Sequence, residues 1–225
     1  MTFHCGDVLN FNFVLIGRAQ EYLPLCIDAW KEALLELGIK NVSGAMRRGM
    51  AELFKVTLLG NEGEVEVANL DRGTLACLHN VFSPSSNGIL DSLTIRIVTP
   101  LRFTPKRNLN TQCDSKMWLS PEELKPIHFF RRLISRIQSL SQLYTDCRPD
   151  FPDPELSINF GSEKSLTEWN WQRFSGTQDQ KIPSDGVVGK WIFHGDIQPF
   201  LPYIELGELL HVGKGAVYGM GKYKI

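Results

Sequence analysis

The sequence predicts an α+β protein in which one strand–helix–loop–strand unit occurs twice. Three observations lead there: a repeated short motif, period-two apolar patterns beside helical ones, and a glycine-rich run before the C-terminal strand. The repeat lays Gly17–Pro24 over Gly195–Pro202, both reading G-x-x-Q-x-aromatic-L-P. Before each copy lies an alternating stretch, Leu9, Phe11, Phe13, Leu15 and then Val187, Gly189, Trp191, Phe193. That period suits a half-buried strand. After each copy the apolar residues move to helical spacing: Leu23, Ile27, Trp30, Leu34, Leu37, and Leu201, Ile204, Leu206, Leu209, Leu210. Gly38 and Gly213 mark the helix ends. A glycine- and base-rich loop and a short strand follow, Phe54–Leu59 in one copy and Gly221–Ile225 in the other.

The middle of the chain completes the second copy. Ser92–Val98 alternates as a strand. Pro126 opens a helix running to Tyr144, with Phe130, Leu133, Ile134, Ile137 and Leu140 on one face. Pro149, Pro152 and Pro154 stop any continuation. A strand over Leu166–Phe174 and the strand over Val187–Phe193 follow. From residue 92 to 225 the order is βαββαβ, the ferredoxin-like arrangement. The fold class is therefore tandem ferredoxin-like (RRM-like) units, the first incomplete. The expected boundaries are 1–90 for a partial N-terminal unit and 91–225 for a C-terminal ferredoxin-like domain with a glycine-rich loop.

Composition is that of an ordinary globular chain, 43% hydrophobic and 22% charged over 225 residues. No run of eighteen apolar residues marks a membrane span. The N-terminus lacks the basic start and apolar stretch of a secretion signal. Cysteines at 5, 26, 77, 113 and 147 are odd in number, widely spaced and free of C-x-x-C. They predict reduced thiols in a cytoplasmic protein, with no disulfide framework, no metal site and no cofactor. Cys26 lies among apolar residues and is expected to be buried.

Net charge is −1, yet the basic residues cluster at Arg47 and Arg48, Lys106 and Arg107, and Arg131, Arg132 and Arg136. Residues 209–225 carry Lys214, Lys222 and Lys224 and no acid. A locally basic surface on a near-neutral protein suffices to attract phosphates. The glycine run is not a Walker loop, because Gly213-Lys214 is not followed by Ser or Thr. It is not a dinucleotide fingerprint either, since it follows a helix instead of opening one.

The segment Leu209–Tyr223, with Gly213, Gly215, Tyr218, Gly219 and Gly221, resembles the loop of the CRISPR-associated endoribonucleases that process repeat RNA. Gly195–Pro202, Trp171–Ser175 and Thr99–Arg102 resemble the same repeat-associated RNA-binding superfamily. The likeness covers residues 7–225 and is strongest over 165–225. It implies metal-independent cleavage of precursor CRISPR RNA into guide RNAs, in which a 2′-hydroxyl attacks the adjacent phosphate. It also implies a repeat RNA hairpin as partner, other CRISPR effector subunits as further partners, and no membrane. Family members carry a further N-terminal segment that supplies the first βαβ and, in many, the catalytic histidine. That departure keeps open an alternative, a non-catalytic RNA-binding subunit of an effector complex.

Under this resemblance the glycines permit close backbone approach and their amides cradle phosphate oxygens. Lys214 adds charge, and Tyr218 stacks on a splayed base. Lys222 and Lys224 alternate on the last strand and are expected to share a side. Arg132 and Arg136, four apart, share a helix face, and Arg47 and Arg48 occupy the equivalent loop of the first copy. Arg131, Arg132 and Arg136 also fit a solvated helix face, and Trp169, Trp171 and Trp191 fit core positions as well as base stacking. Cleavage needs a base, an acid and cations. Of the five histidines, His211 lies directly before the glycine loop and His128 opens the central helix, so these two are the catalytic candidates. His194 ends a strand; His4 and His79 have no informative setting.

Overall fold

A computed structural model describes residues 4, 6–35, 51–60, 63–66, 91–104, 118–144, 150–153, 161–170, 172–175 and 180–225. The chain divides into two compact units, Met1–Ser83 and Pro84–Ile225.

In the first unit a 3-10 turn, Gly17–Tyr22, leads into helix α1, Leu23–Leu35, which buries Leu23 and Leu34. Cys26 is only half-buried. A hairpin follows, β1 (Thr57–Gly60) against β2 (Gly63–Glu66). The strand expected over Leu9–Leu15 does not form: residues 7–16 have no ladder partner among the described residues. Its alternating aromatics pack on a helix side chain instead, Phe11 at 4.6 Å and Phe13 at 6.2 Å from the Trp30 ring. Leu9, Phe11 and Phe13 remain exposed all the same, so the alternation buries no strand face here.

The second unit has the full ferredoxin-like order. Strand β3 spans Ser92–Leu101, helix α2 Pro126–Tyr144, β4 Gly161–Trp169, β7 Gly186–His194, α3 Leu201–Leu210 and β8 Tyr223–Lys224. Between β4 and β7 a hairpin is inserted, β5 (Gln172–Ser175) against β6 (Gln180–Pro183). The expected strand Leu166–Phe174 is thus two strands broken past Trp169. The sheet runs β4-β7-β3-β8 with every neighbour antiparallel.

Alternation sorts the residues of β3: Leu93, Ile95 and Ile97 point inward, while Ser92, Thr94 and Arg96 point outward. Helix α2 lays Phe129, Phe130, Leu133, Ile134 and Ile137 on the inner face. Pro at its first position needs no donor there, and the helix start is closed by the side chain two residues further on. The Lys125 amide donates to His128 Nδ1 at 3.1 Å, the reciprocal half of a capping box. Trp191, Phe193, Phe200 and Ile204 fill the layer between sheet and helices, each fully buried. Tyr223 seals the end of that layer: its ring lies 5.2 Å from Phe129 and its hydroxyl donates to the Ile204 carbonyl of α3. Burial, with Glu208 nearby, raises this phenol well above its usual range. Gly207 makes the contact possible, because a Cβ there would collide with the Tyr223 hydroxyl and Leu133.

Candidate functional site

The glycine loop is hung on an irregularity in β3. Pairing of β3 with β7 is regular from Ser92 to Ile97 and resumes only at Leu101 opposite Val187. Pro100, which has no N–H, lies inside that break. The freed backbone receives the loop instead. Lys214 N–H donates to the Arg102 carbonyl at 2.9 Å, Gly221 N–H to Pro100 at 3.0 Å, and Val98 N–H to Lys222 at 2.8 Å. Thr99 fastens the same limb with its hydroxyl, which donates to the Gly219 carbonyl at 2.7 Å and accepts from Lys222 N–H at 2.8 Å.

Within the loop, Val212, Tyr218, Gly219 and Met220 donate their amides to loop carbonyls. Much of the glycine run therefore holds itself together, and the phosphate-cradling role expected of it narrows. Among the described residues the amides of Gly215, Ala216 and Val217 carry no backbone partner. Gly221, at φ +69°, is packed so closely that a Cβ would enter the Val212 carbonyl, whereas Gly219, at φ +80°, faces open space. What the loop presents outward is the Lys214 side chain, Val217 and Tyr218, the last 62% exposed.

His211 caps the end of α3 with φ 59° and ψ 166°, a conformation that costs a non-glycine residue on the order of 1–3 kcal/mol. The side chain is half-buried. Burial, then Lys222 and Arg136, pull the imidazole below its ordinary value, against a hydrogen bond with the Met220 backbone that pulls it up. Arg136 reaches the same place from α2, donating through Nε to the Leu210 carbonyl at 2.8 Å. A cation at a helix C-terminus satisfies an orphan carbonyl and the helix dipole together. Arg102 is turned another way, with Nε donating to the Asp185 carbonyl at 2.7 Å.

The structure thus brings together Gly213, Lys214, Gly215, Tyr218, Gly219, Gly221, Lys222, His211 and Arg136. His128 stands elsewhere. It lies eight residues before Arg136 on α2, or about 12 Å along the axis, so the two histidines do not flank one phosphate. Burial and the charges of Lys125, Arg131, Arg132 and Lys164 lower its pKa, and its Nδ1 is engaged as the cap acceptor. Arg132 is exposed and donates to the Thr104 carbonyl at 3.5 Å, so Arg132 and Arg136 serve different neighbourhoods. Only Lys224 belongs to the last strand; Lys222 precedes it and faces His211. Arg47, Arg48, Lys106, Arg107, His79 and Trp171 lie outside the described residues. Trp191 is core, while Trp169 is 52% exposed. Sequence reasoning missed Thr99, whose only signal is a hydroxyl within the Thr99–Arg102 segment. Among the described residues no group of His, Cys, Asp or Glu has the geometry of a metal site, and no helix is long and apolar enough to cross a membrane.

Comparison with known proteins places this site inside a recognised sequence family. The family model for CRISPR-associated endoribonuclease Cas6 matches residues 95–223, which include most of β3, helices α2 and α3 and the glycine loop. No curated protein matches the chain in sequence. Among solved structures, a Cas6 product complex is 16% identical over 63% of this chain and 51% of that one, with a TM-score of 0.38. Thermus thermophilus Cas6 is 17% identical over 59% and 52%, with a TM-score of 0.36. A Cas6-RT-Cas1–Cas2 complex is 13% identical over 59% and 14%, with a TM-score of 0.42. The matches with the two Cas6 structures span about half of those chains' length.

Proposed function

The chain belongs to the CRISPR-associated endoribonuclease Cas6 family, and from that premise we propose that it binds CRISPR repeat RNA and cleaves precursor CRISPR RNA at the glycine-loop end. The observation that carries the reading is the convergence of His211, Lys222 and Arg136 beneath a loop that exposes Lys214 and Tyr218. Tyr218 stacks on an unpaired base, and Lys214 holds a phosphate. His211 is kept neutral by its surroundings and accepts the proton of the attacking 2′-hydroxyl. The 2′-oxygen bonds to phosphorus as the bond from phosphorus to the 5′-oxygen breaks, the leaving 5′-oxygen takes a proton from water, and Lys222 and Arg136 offset the charge that builds on the phosphorane. No step in this scheme calls on a metal ion. Residues 1–90 form a partial first ferredoxin-like unit in this reading, and 91–225 the RNA-holding domain. A hairpin in the repeat RNA is the expected substrate, with other CRISPR proteins as partners.

The test is incubation of the full chain with repeat RNA in EDTA, with the ends of the products analysed. A 2′,3′-cyclic phosphate and a 5′-hydroxyl are expected; an uncut RNA overturns cleavage. The separation of His128 from His211 favours a second reading, a non-catalytic RNA-binding subunit. Tight hairpin binding without a cut is its expected result.

A further inference from the structure

The outer face of the β4-β7-β3-β8 sheet carries a row of like charges. Arg96 on β3 lies directly opposite Lys190 on β7 and directly opposite Lys224 on β8. Lys190 in turn faces Ser165 on β4. Residues paired across antiparallel strands point to the same side, and neighbouring strands lie about 4.8 Å apart. All four residues are exposed. Among the described residues none of the three cations makes an ion pair. Among the described residues of the sheet's outward positions the acid is Glu163, which is in the next row and bonds His194 at 3.2 Å.

An antiparallel sheet with one face in water is ordinary. Three cations side by side are not, because like charges directly opposite one another destabilise the pairing. The repulsion is relieved when an anion spans the row. Beside the row lies an open depression of about 450 Å³, lined by Thr94, Arg96, Ser165, Gly189 and Lys190. Two hydroxyls there add hydrogen-bond donors to the cations. Gly189, at φ +130°, keeps β7 close to β4, since a Cβ would strike the Ser165 carbonyl. Farther along β4 on the same side, Trp169 stands 52% exposed.

We propose that this face is a second RNA site, separate from the glycine loop, that holds a single-stranded segment. Its phosphates run along Lys190, Arg96 and Lys224, and one base stacks on Trp169. Cations that track the backbone together with an aromatic platform are the means by which single strands are bound without sequence preference. The site deepens the repeat-RNA reading and rests on it for the identity of the nucleic acid. It makes its own demand, that charge and stacking contribute separately.

The experiment uses the full chain and a fluorescent oligouridylate of about twelve nucleotides, a length within the usual single-strand site sizes. The triple variant Arg96→Ala, Lys190→Ala, Lys224→Ala is expected to lose at least tenfold in affinity near 0.1 M salt. Its log–log salt slope should fall by about two, from three lost phosphates at about 0.7 each. Trp169→Ala is expected to lose about fivefold or more with its slope unchanged. Unchanged affinity and slope in the triple variant overturn the proposal, and so does a wild-type chain that does not bind the oligomer. Tighter binding of polyglutamate than of RNA also overturns it, in favour of an acidic protein. The single variants Arg96→Ala and Lys190→Ala keep the test open should the triple variant misfold. Cleavage of repeat RNA is scored separately. Loss of cleavage by the wild type sinks the enzymatic reading alone, while a flat response of the triple variant sinks the sheet site alone.

Discussion

One face of the sheet is sealed by α2 and α3 over Trp191, Phe193 and Tyr223, none more than 1% exposed. The other leaves Thr94, Arg96, Ser165, Lys190 and Lys224 in water. The same strands supply both, because successive side chains alternate. The difference separates two kinds of consequence. Substitutions on the inner face change whether the unit folds; substitutions on the outer face and in the loop tip change what the folded unit holds. The glycine loop links the two, since Tyr223 at its end is core while Lys214 and Tyr218 face outward.

The largest effect belongs to the inner face. Phe130→Ala removes a ring packed 4.9 Å from Phe200 and 5.1 Å from Phe193. Urea unfolding should show a loss of about 3–5 kcal/mol, with RNA affinity unchanged in whatever fraction remains folded. A smaller loss would mean that the layer collapses around the gap. Next comes the junction. Gly221→Ala meets both a positive φ and the Val212 carbonyl, and should cost more than about 1 kcal/mol. Thr99→Val strips the hydroxyl from the Gly219 and Lys222 bonds and should cost about 1–3 kcal/mol. If thermal melting leaves either variant unchanged, the loop is not held in the way described. The smallest effect on stability belongs to the outside. Lys214→Ala should stay within about 0.5 kcal/mol of the wild type while lowering the salt slope of RNA binding by about 0.7. A fall in stability without a change in slope would make Lys214 structural.

A pH scan probes the half-buried sites between these extremes. His211 and His128 both have folded-state pKa values below the ordinary imidazole value. The unfolded chain then binds more protons, so stability from these groups is full above the unfolded pKa. It is lost as pH falls through the depressed folded value. Melting temperature is expected to drop below about pH 6.5, and less steeply in His211→Gln. An equal drop in that variant would place the titration elsewhere.

How far the sequence reached follows the same division. The α2 face and the alternation of β3 were legible, because periodicity is local and Phe130, Leu133 and Ile137 repeat within it. Leu9–Leu15 misled, since Phe11 and Phe13 find Trp30 instead of a neighbouring strand. The glycines marked a loop, but not that its amides bond back to Arg102 and Pro100, which lie more than a hundred residues upstream. His128 was legible as the opening of a helix, but its lone pair turned out to serve the Lys125 amide. Arg96 and Lys190 each alternate outward in their own strands, yet only the register of β3 against β7 sets them side by side.

The most direct test of the account compares wild type and His211→Ala on repeat RNA in EDTA, with binding and cutting measured apart. Wild type should cut and leave a cyclic phosphate; the variant should bind as tightly and cut at least about a hundredfold more slowly. A variant that cuts at the wild-type rate would contradict the role assigned to His211, and a wild type that binds no repeat RNA would contradict the whole account.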